Sequence, residues 1–137
     1  MEPLWLRFAY EELRRGVREI PGSVANPRIL EYHNSTTLKA TSDEVAWCAA
    51  FVGWALDKAG VSPTHSAAAR SYLNWGVGIS PVHIPLGAVV VMRRSESDPG
   101  PGVVDARGHV GFFWSHGEPS RLVLLGGNQG DAVRIAS

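Results

Sequence analysis

Apolar residues recur at helical spacing along the first half of the chain and alternate with a period of two along the second. Near the start Leu6, Tyr10, Leu13 and Val17 fall on one helical stripe, which predicts an amphipathic helix with Pro3 in its first turn. Pro21-Gly22 breaks that segment. Asn26-Pro27 then joins a capping side chain to a proline suited to the first helical position, so a short helix should run to about His33. The Thr- and Ser-rich stretch 34–42 reads as a loop. The longest apolar run, Val45 to Leu56, carries Trp47, Cys48, Phe51, Val52 and Trp54. Its apolar residues cover every side, the pattern of a helix buried within a domain, with Gly60 as its stop. Two starts are open for it. Thr41 with Glu44 matches a capping box, whereas a start near Trp47 would place Cys48 in the first turn. Another helix is predicted from Ser66 to Trp75, ending at Gly76.

Four short β-rich segments follow, Leu86–Met92, His109–Trp114, Arg121–Leu125 and Ala132–Ala136, with turn residues between them. Arg93 to Arg107, polar and containing Pro99-Gly100-Pro101-Gly102, reads as a long mobile loop. Helices followed by consecutive strands predict an α+β fold with a largely antiparallel sheet. Neither a repeat nor a linker divides residues 1–137, so a single domain is expected.

Composition narrows the function. The chain of 137 residues balances 13 Lys and Arg against 13 Asp and Glu. A neutral surface argues against nucleic acid or an anionic membrane as the main partner. With 45% hydrophobic and 19% charged residues, a folded core is expected rather than disorder. Charges interrupt the N-terminal stretch, so it has no signal-peptide core, and no apolar run reaches membrane-spanning length. Synthesis in the cytoplasm without an export signal is the expectation. One cysteine excludes an intrachain disulfide. With that single cysteine and no His-x-x-x-His spacing, neither a metal centre nor another cofactor is expected.

Cys48 is therefore a buried thiol, a redox handle or a nucleophile, and its position alone does not decide among them. A nucleophile needs a base and a group that orients the base. Among the five histidines, His65 and His116 lie beside turn residues and His83 precedes Pro85. His33 ends a short helix near the loop before Cys48 and could approach a site there. His109 heads the apolar strand Gly108-His109-Val110-Gly111-Phe112, where a polar side chain needs either a buried partner or a function. Asn128, in Gly126-Gly127-Asn128-Gln129-Gly130, follows a strand. It is either ordinary turn material or an amide that accepts the base's Nδ1–H and fixes its tautomer. The five tryptophans suggest core packing for at least three, with Trp47 at a groove wall beside the cysteine.

Taken in order, Glu44-Val45-Ala46-Trp47-Cys48-Ala49-Ala50-Phe51-Val52, Ser66 to Leu73, Pro85 to Val91, Gly108 to Phe112 and Leu125-Gly126-Gly127-Asn128-Gln129 resemble one family. It is the NlpC-type cysteine peptidase superfamily, which includes the CHAP-domain amidases. The nearest resemblance is to a branch found in phage lysis proteins and secreted bacterial toxins, and it covers roughly residues 20 to 136. The resemblance implies a papain-like α+β fold with N-terminal helices packed on a small antiparallel sheet. It implies Cys48 as nucleophile, His109 as general base and acid, and Asn128 as the residue that orients His109. Trp47, Glu44 and His33 would contact substrate. The substrate implied is peptidoglycan, cut at an amide bond of the stem peptide by an endopeptidase or amidase. Delivery to the periplasm or wall by a phage or a secretion system would follow, and a toxin would have a cognate immunity protein. Two departures are visible: Ala49 and Ala50 stand where many members carry a serine, and the sequence ends at Ser137, where similar sequences add a strand. The competing class is a non-catalytic wall- or partner-binding module on the same fold.

Overall fold

Leu4–Arg15 forms helix α1, closed by Gly16 in the left-handed conformation at φ 71°. The computed structural model describes residues 2–20, 25–40, 46–92, 108–117 and 121–137. The buried face of α1 is Leu6, Ala9 and Glu12. Tyr10, placed on the apolar stripe by its spacing, instead lies on the surface and stacks on Trp114 at 5.7 Å. Helix α2, Pro27–His33, starts as the Asn26-Pro27 pair predicts: the Asn26 carboxamide oxygen accepts the Arg28 amide N–H at 2.9 Å.

A buried carboxylate fastens these two helices. Glu12 Oε1 accepts from the Tyr32 hydroxyl at 2.6 Å and from Arg28 Nη2 and Nε at 2.8 Å. Arg15 Nε reaches Glu12 Oε2 at 3.1 Å. Burial first, and then the neighbouring carboxylate, push the Tyr32 phenol well above its ordinary 10.0. Replacing Glu12 with Ala strands the Tyr32 hydroxyl and an arginine, and should lower unfolding free energy by about 2–4 kcal/mol in urea titrations. Glu12→Gln keeps an acceptor for Tyr32 and should lose about half as much. Equal losses in the two variants would assign the effect to packing instead.

Helix α3, Cys48–Lys58, is the buried helix, with every residue from Cys48 to Leu56 inside. It takes the later of the two starts. Trp47 is its N-cap residue and Cys48 its first helical residue. Tyr32 of α2 packs edge-on against Phe51 at 5.1 Å and also contacts Trp47 and Trp54. Beyond α3 the helix predicted over Ser66–Trp75 shrinks to a 3-10 helix, Ala69–Asn74. Local side-chain bonds explain the loss. Thr64 Oγ1 accepts the Ser66 amide and Ser66 Oγ accepts the Ala68 amide, which holds Ala68 extended at ψ 123°.

The sheet has four antiparallel strands in chain order: β1 Val89–Met92, β2 His109–Gly117, β3 Arg121–Gly126 and β4 Arg134–Ala136. All four strands shift in bounds from the sequence expectation: β3 gains Gly126 and β4 starts at Arg134 rather than Ala132. β1 starts at Val89 rather than Leu86, after Gly87 turns at φ 84°. β2 runs on past Trp114 to Gly117, through a register shift between Phe113 and Ser115. Val110, Phe112 and Leu125 are fully buried in one cluster with the apolar faces of α3, α1 and α2. Helices packed on an antiparallel sheet make this an α+β fold, as the change of period along the chain implies. Before β1 the chain also adds a short ladder to the sheet side. Val133 donates to the Val17 carbonyl, Arg18 bridges Ala132, and Glu19 N–H donates to the Asp131 carbonyl at 2.8 Å. The long loop predicted over 93–107 lies outside the described residues.

Candidate active site

Two features converge on the connection between β3 and β4: the start of α3 and the head of β2. On the helix side, Gly127 lies so close to α3 that a Cβ there would stand 2.7 Å from both Phe51 Cβ and Trp47 Cζ3. Only a glycine fits, and its absent side chain sets the contact between this connection and the first turn of α3. On the strand side, His109 Nε2 lies 2.8 Å from Gln129 Oε1. The stretch Gly126–Gly130 is thus the common neighbour of the helix that Cys48 begins and of His109.

The polarity of the histidine contact follows from the other end of the amide. Gln129 Nε2 donates to the Leu124 carbonyl at 3.1 Å and to the Arg134 carbonyl at 2.8 Å. Carbonyls only accept, so the NH2 group must face them and the oxygen must face the ring. His109 Nε2 therefore donates, and in the neutral imidazole the basic lone pair is on Nδ1. The amide thus fixes the tautomer. Sequence reasoning gave that task to Asn128 acting on Nδ1; the structure puts Gln129 against Nε2. Asn128 occupies a left-handed turn position at φ 58°, which carries the chain round so that its longer neighbour spans the gap. Gly126 completes the fit, since a Cβ there would meet Gln129 Oε1 at 2.6 Å.

Gly108, immediately before the histidine, is equally constrained: a Cβ would stand 2.9 Å from Arg70 Cγ and from the Met92 carbonyl. Arg70 is fully buried on the 3-10 helix. Composition offered no sign of it, because an arginine in a short apolar segment reads as a surface residue.

Cys48 is 4% exposed. As the first residue of α3 it belongs to the turn whose amide N–H groups lack intrahelical acceptors. Among the described residues the helix's N-cap Trp47 makes no side-chain cap bond, and the first turn itself holds no acidic residue to offset its positive end. Phe51 N–H, donating to the Trp47 carbonyl at 3.0 Å, is the first amide of the helical ladder.

The three expected substrate contacts fare differently. Trp47 has no exposed surface. Its indole N–H donates to Glu19 Oε2 at 3.0 Å, so it is a packing residue and not a groove wall. His33 is also fully buried, at the end of α2 where the chain turns back. Neither reaches solvent. Glu44 lies outside the described residues. His65, His83 and His116 are exposed, as their turn surroundings suggest. Trp54 is buried as well, while Trp5, Trp75 and Trp114 pack half-buried on the core.

Two cavities flank these elements. The larger, about 890 Å³, runs along β1 and the 3-10 helix between Trp5, Tyr72, Trp75 and Ile79, and neither Cys48 nor His109 lines it. The smaller, about 410 Å³, is polar and lies between Arg18, Glu19, Asp131 and Arg134, beside the Gln129 turn. Among the described residues no three His, Cys, Asp or Glu side chains group as metal ligands, and no helix is long and apolar enough to cross a membrane. Set against known proteins, the chain matches no family model, no curated protein and no solved structure.

Proposed function

We propose that this protein is a thiol hydrolase that cuts an amide bond in bacterial peptidoglycan, with Cys48 as nucleophile, His109 as general base and acid, and Gln129 as the orienting residue. The observation that carries the reading is the His109–Gln129 bond, which leaves Nδ1 as the basic nitrogen of the histidine. The position of Cys48 at the start of α3 supports it, since helix N-termini favour thiolates. The resemblance to NlpC-type and CHAP-domain enzymes, of papain-like fold, supplies the substrate class.

In the proposed reaction His109 Nδ1 takes the Cys48 Sγ proton, and the thiolate adds to the carbonyl carbon of the scissile amide. Amide N–H groups of the first turn of α3, that of Cys48 among them, hold the oxyanion. The tetrahedral adduct collapses as the imidazolium gives its proton to the departing amine, leaving a thioester. Water, deprotonated by His109, then adds to the thioester and releases the carboxylate and the free thiol. Ala49 and Ala50, where many similar enzymes carry a serine, leave these backbone donors unchanged. Peptidoglycan is the proposed partner, reached in the periplasm or wall after delivery by a phage or a secretion system, with an immunity protein as partner in the second case.

The low exposure of Cys48 favours a second reading, an inert thiol in a wall-binding module. Alkylation by iodoacetamide against pH separates the two. An activated thiol should react with a midpoint below the free-cysteine value of about 8.5, and the His109→Ala variant should lose that shift. Slow alkylation with an ordinary midpoint in both proteins would select the binding module.

A further inference from the structure

We infer that Glu19 is a positioning residue of the proposed hydrolase, holding the start of the Cys48 helix at a fixed distance from the turn that carries Gln129. The inference rests on the proposed function for its readout and on geometry for its content. Glu19 touches both halves of the site. Its carboxylate oxygen Oε2 accepts the Trp47 indole N–H at 3.0 Å, and Trp47 directly precedes Cys48 as the N-cap residue of α3. Its backbone N–H donates to the Asp131 carbonyl at 2.8 Å, in the connection that bears Gln129. That connection is itself closed by Gln129 N–H donating to the Ala132 carbonyl at 3.0 Å.

Trp47 is fully buried, so its indole N–H must find an acceptor inside the protein. A carboxylate is the strongest acceptor a side chain offers it. The opposite edge of the same ring lies against Gly127, and Tyr32 packs at 5.9 Å. The ring is thereby held between Glu19, Gly127 and Tyr32, three residues from three segments of the chain. Removing the acceptor leaves a buried donor unsatisfied. The ring can recover a partner only by moving, and its backbone leads directly into Cys48.

The test compares wild type with Glu19→Ala, Glu19→Gln, Trp47→Phe and the Glu19→Ala/Trp47→Phe double variant. Two quantities are read: the rate of amine release from purified peptidoglycan against wall concentration, and the pH profile of Cys48 alkylation. Glu19→Ala should lower the limiting rate about tenfold with the half-saturating concentration unchanged, the scale of one hydrogen bond to a charged group. Its alkylation midpoint should move up towards an ordinary thiol. Glu19→Gln keeps an oxygen acceptor and should restore most of both. The double variant should be no worse than Trp47→Phe alone, because both changes remove the same bond. Fully additive losses in the double variant, or a Glu19→Gln as impaired as Glu19→Ala, would overturn the inference. Should Glu19→Ala not fold, the comparison of Glu19→Gln and Trp47→Phe decides on the same criteria. A His109→Ala variant run alongside keeps the two ideas apart. If it leaves the alkylation profile unchanged, the hydrolase reading fails. If it moves the profile and Glu19→Ala does not, only the role of Glu19 fails.

Discussion

Cys48→Ala should abolish lysis of purified peptidoglycan, by at least about a thousandfold, and leave the melting temperature within a few degrees of wild type. The two halves of that result have separate causes. The thiol is the only sulfur nucleophile in the chain, and no neighbouring hydroxyl on α3 can replace it, since Ala49 and Ala50 follow. Stability should change little because the substitution removes one atom from a residue at the edge of the core, where Cys48 keeps 4% exposure. Losing a single buried atom of this kind costs about 1 kcal/mol. Lysis measured by turbidity, with a thermal melt of the same preparation, checks both. Retained lysis in the folded variant would end the hydrolase proposal and return Cys48 to the core. Loss of lysis through unfolding would appear in the melt and be distinguished there.

The fold was more legible than the site, and the reason is the range of the interactions involved. Asn26-Pro27 specifies a helix start through contacts two residues apart, and β2 announces itself as a short apolar run within one segment. By contrast, the start of α3 depends on Trp47. Its ring is fixed by Glu19, 28 positions earlier in the chain, and by Gly127, from the far end of the sequence. Nothing in 45–56 alone distinguishes Thr41 from Trp47 as the cap. The same applies to Glu12, a charged residue on an apolar face, whose burial makes sense only beside Arg28 and Tyr32. At the proposed site, position alone left Cys48 and His109 open between structural and catalytic readings, and the resemblance singled them out. The amide that bonds His109 was not legible, because Asn128 and Gln129 are adjacent and both carry the group. The discriminating signal was the glycine pair before them. Gly126 and Gly127 bring the chain against β2 and α3, and the residue following the turn needs the extra methylene of glutamine to reach both His109 and two carbonyls.

Gln129→Ala should therefore lower the rate of peptidoglycan cleavage about tenfold to a hundredfold, whereas Asn128→Gly should leave it close to wild type. The asymmetry follows from what each side chain holds. Without the Gln129 amide the His109 ring loses the acceptor at 2.8 Å, and with it the bond that favours the tautomer with Nδ1 basic. The Leu124 and Arg134 carbonyls lose a donor at the same time, which adds a stability cost of about 1–2 kcal/mol. Glycine is the informative replacement at Asn128, because it keeps the backbone at φ 58° without strain. Alanine there would add about 1–2 kcal/mol of left-handed strain and confuse stability with activity. Gln129→Glu makes the assignment sharper. It offers the imidazole a stronger acceptor but turns an oxygen towards two carbonyls that had received N–H bonds, so it should bind the ring and still destabilise the turn. A pH–rate profile for Gln129→Glu should shift its acid limb upwards, since a carboxylate beside the ring favours the imidazolium. The sign is that of a base whose protonated form is stabilised, so activity is lost at higher pH than in wild type as the solution is acidified. Equal activity in Gln129→Ala and wild type, with loss confined to Asn128→Gly, would restore the asparagine to the role that the resemblance implies for it.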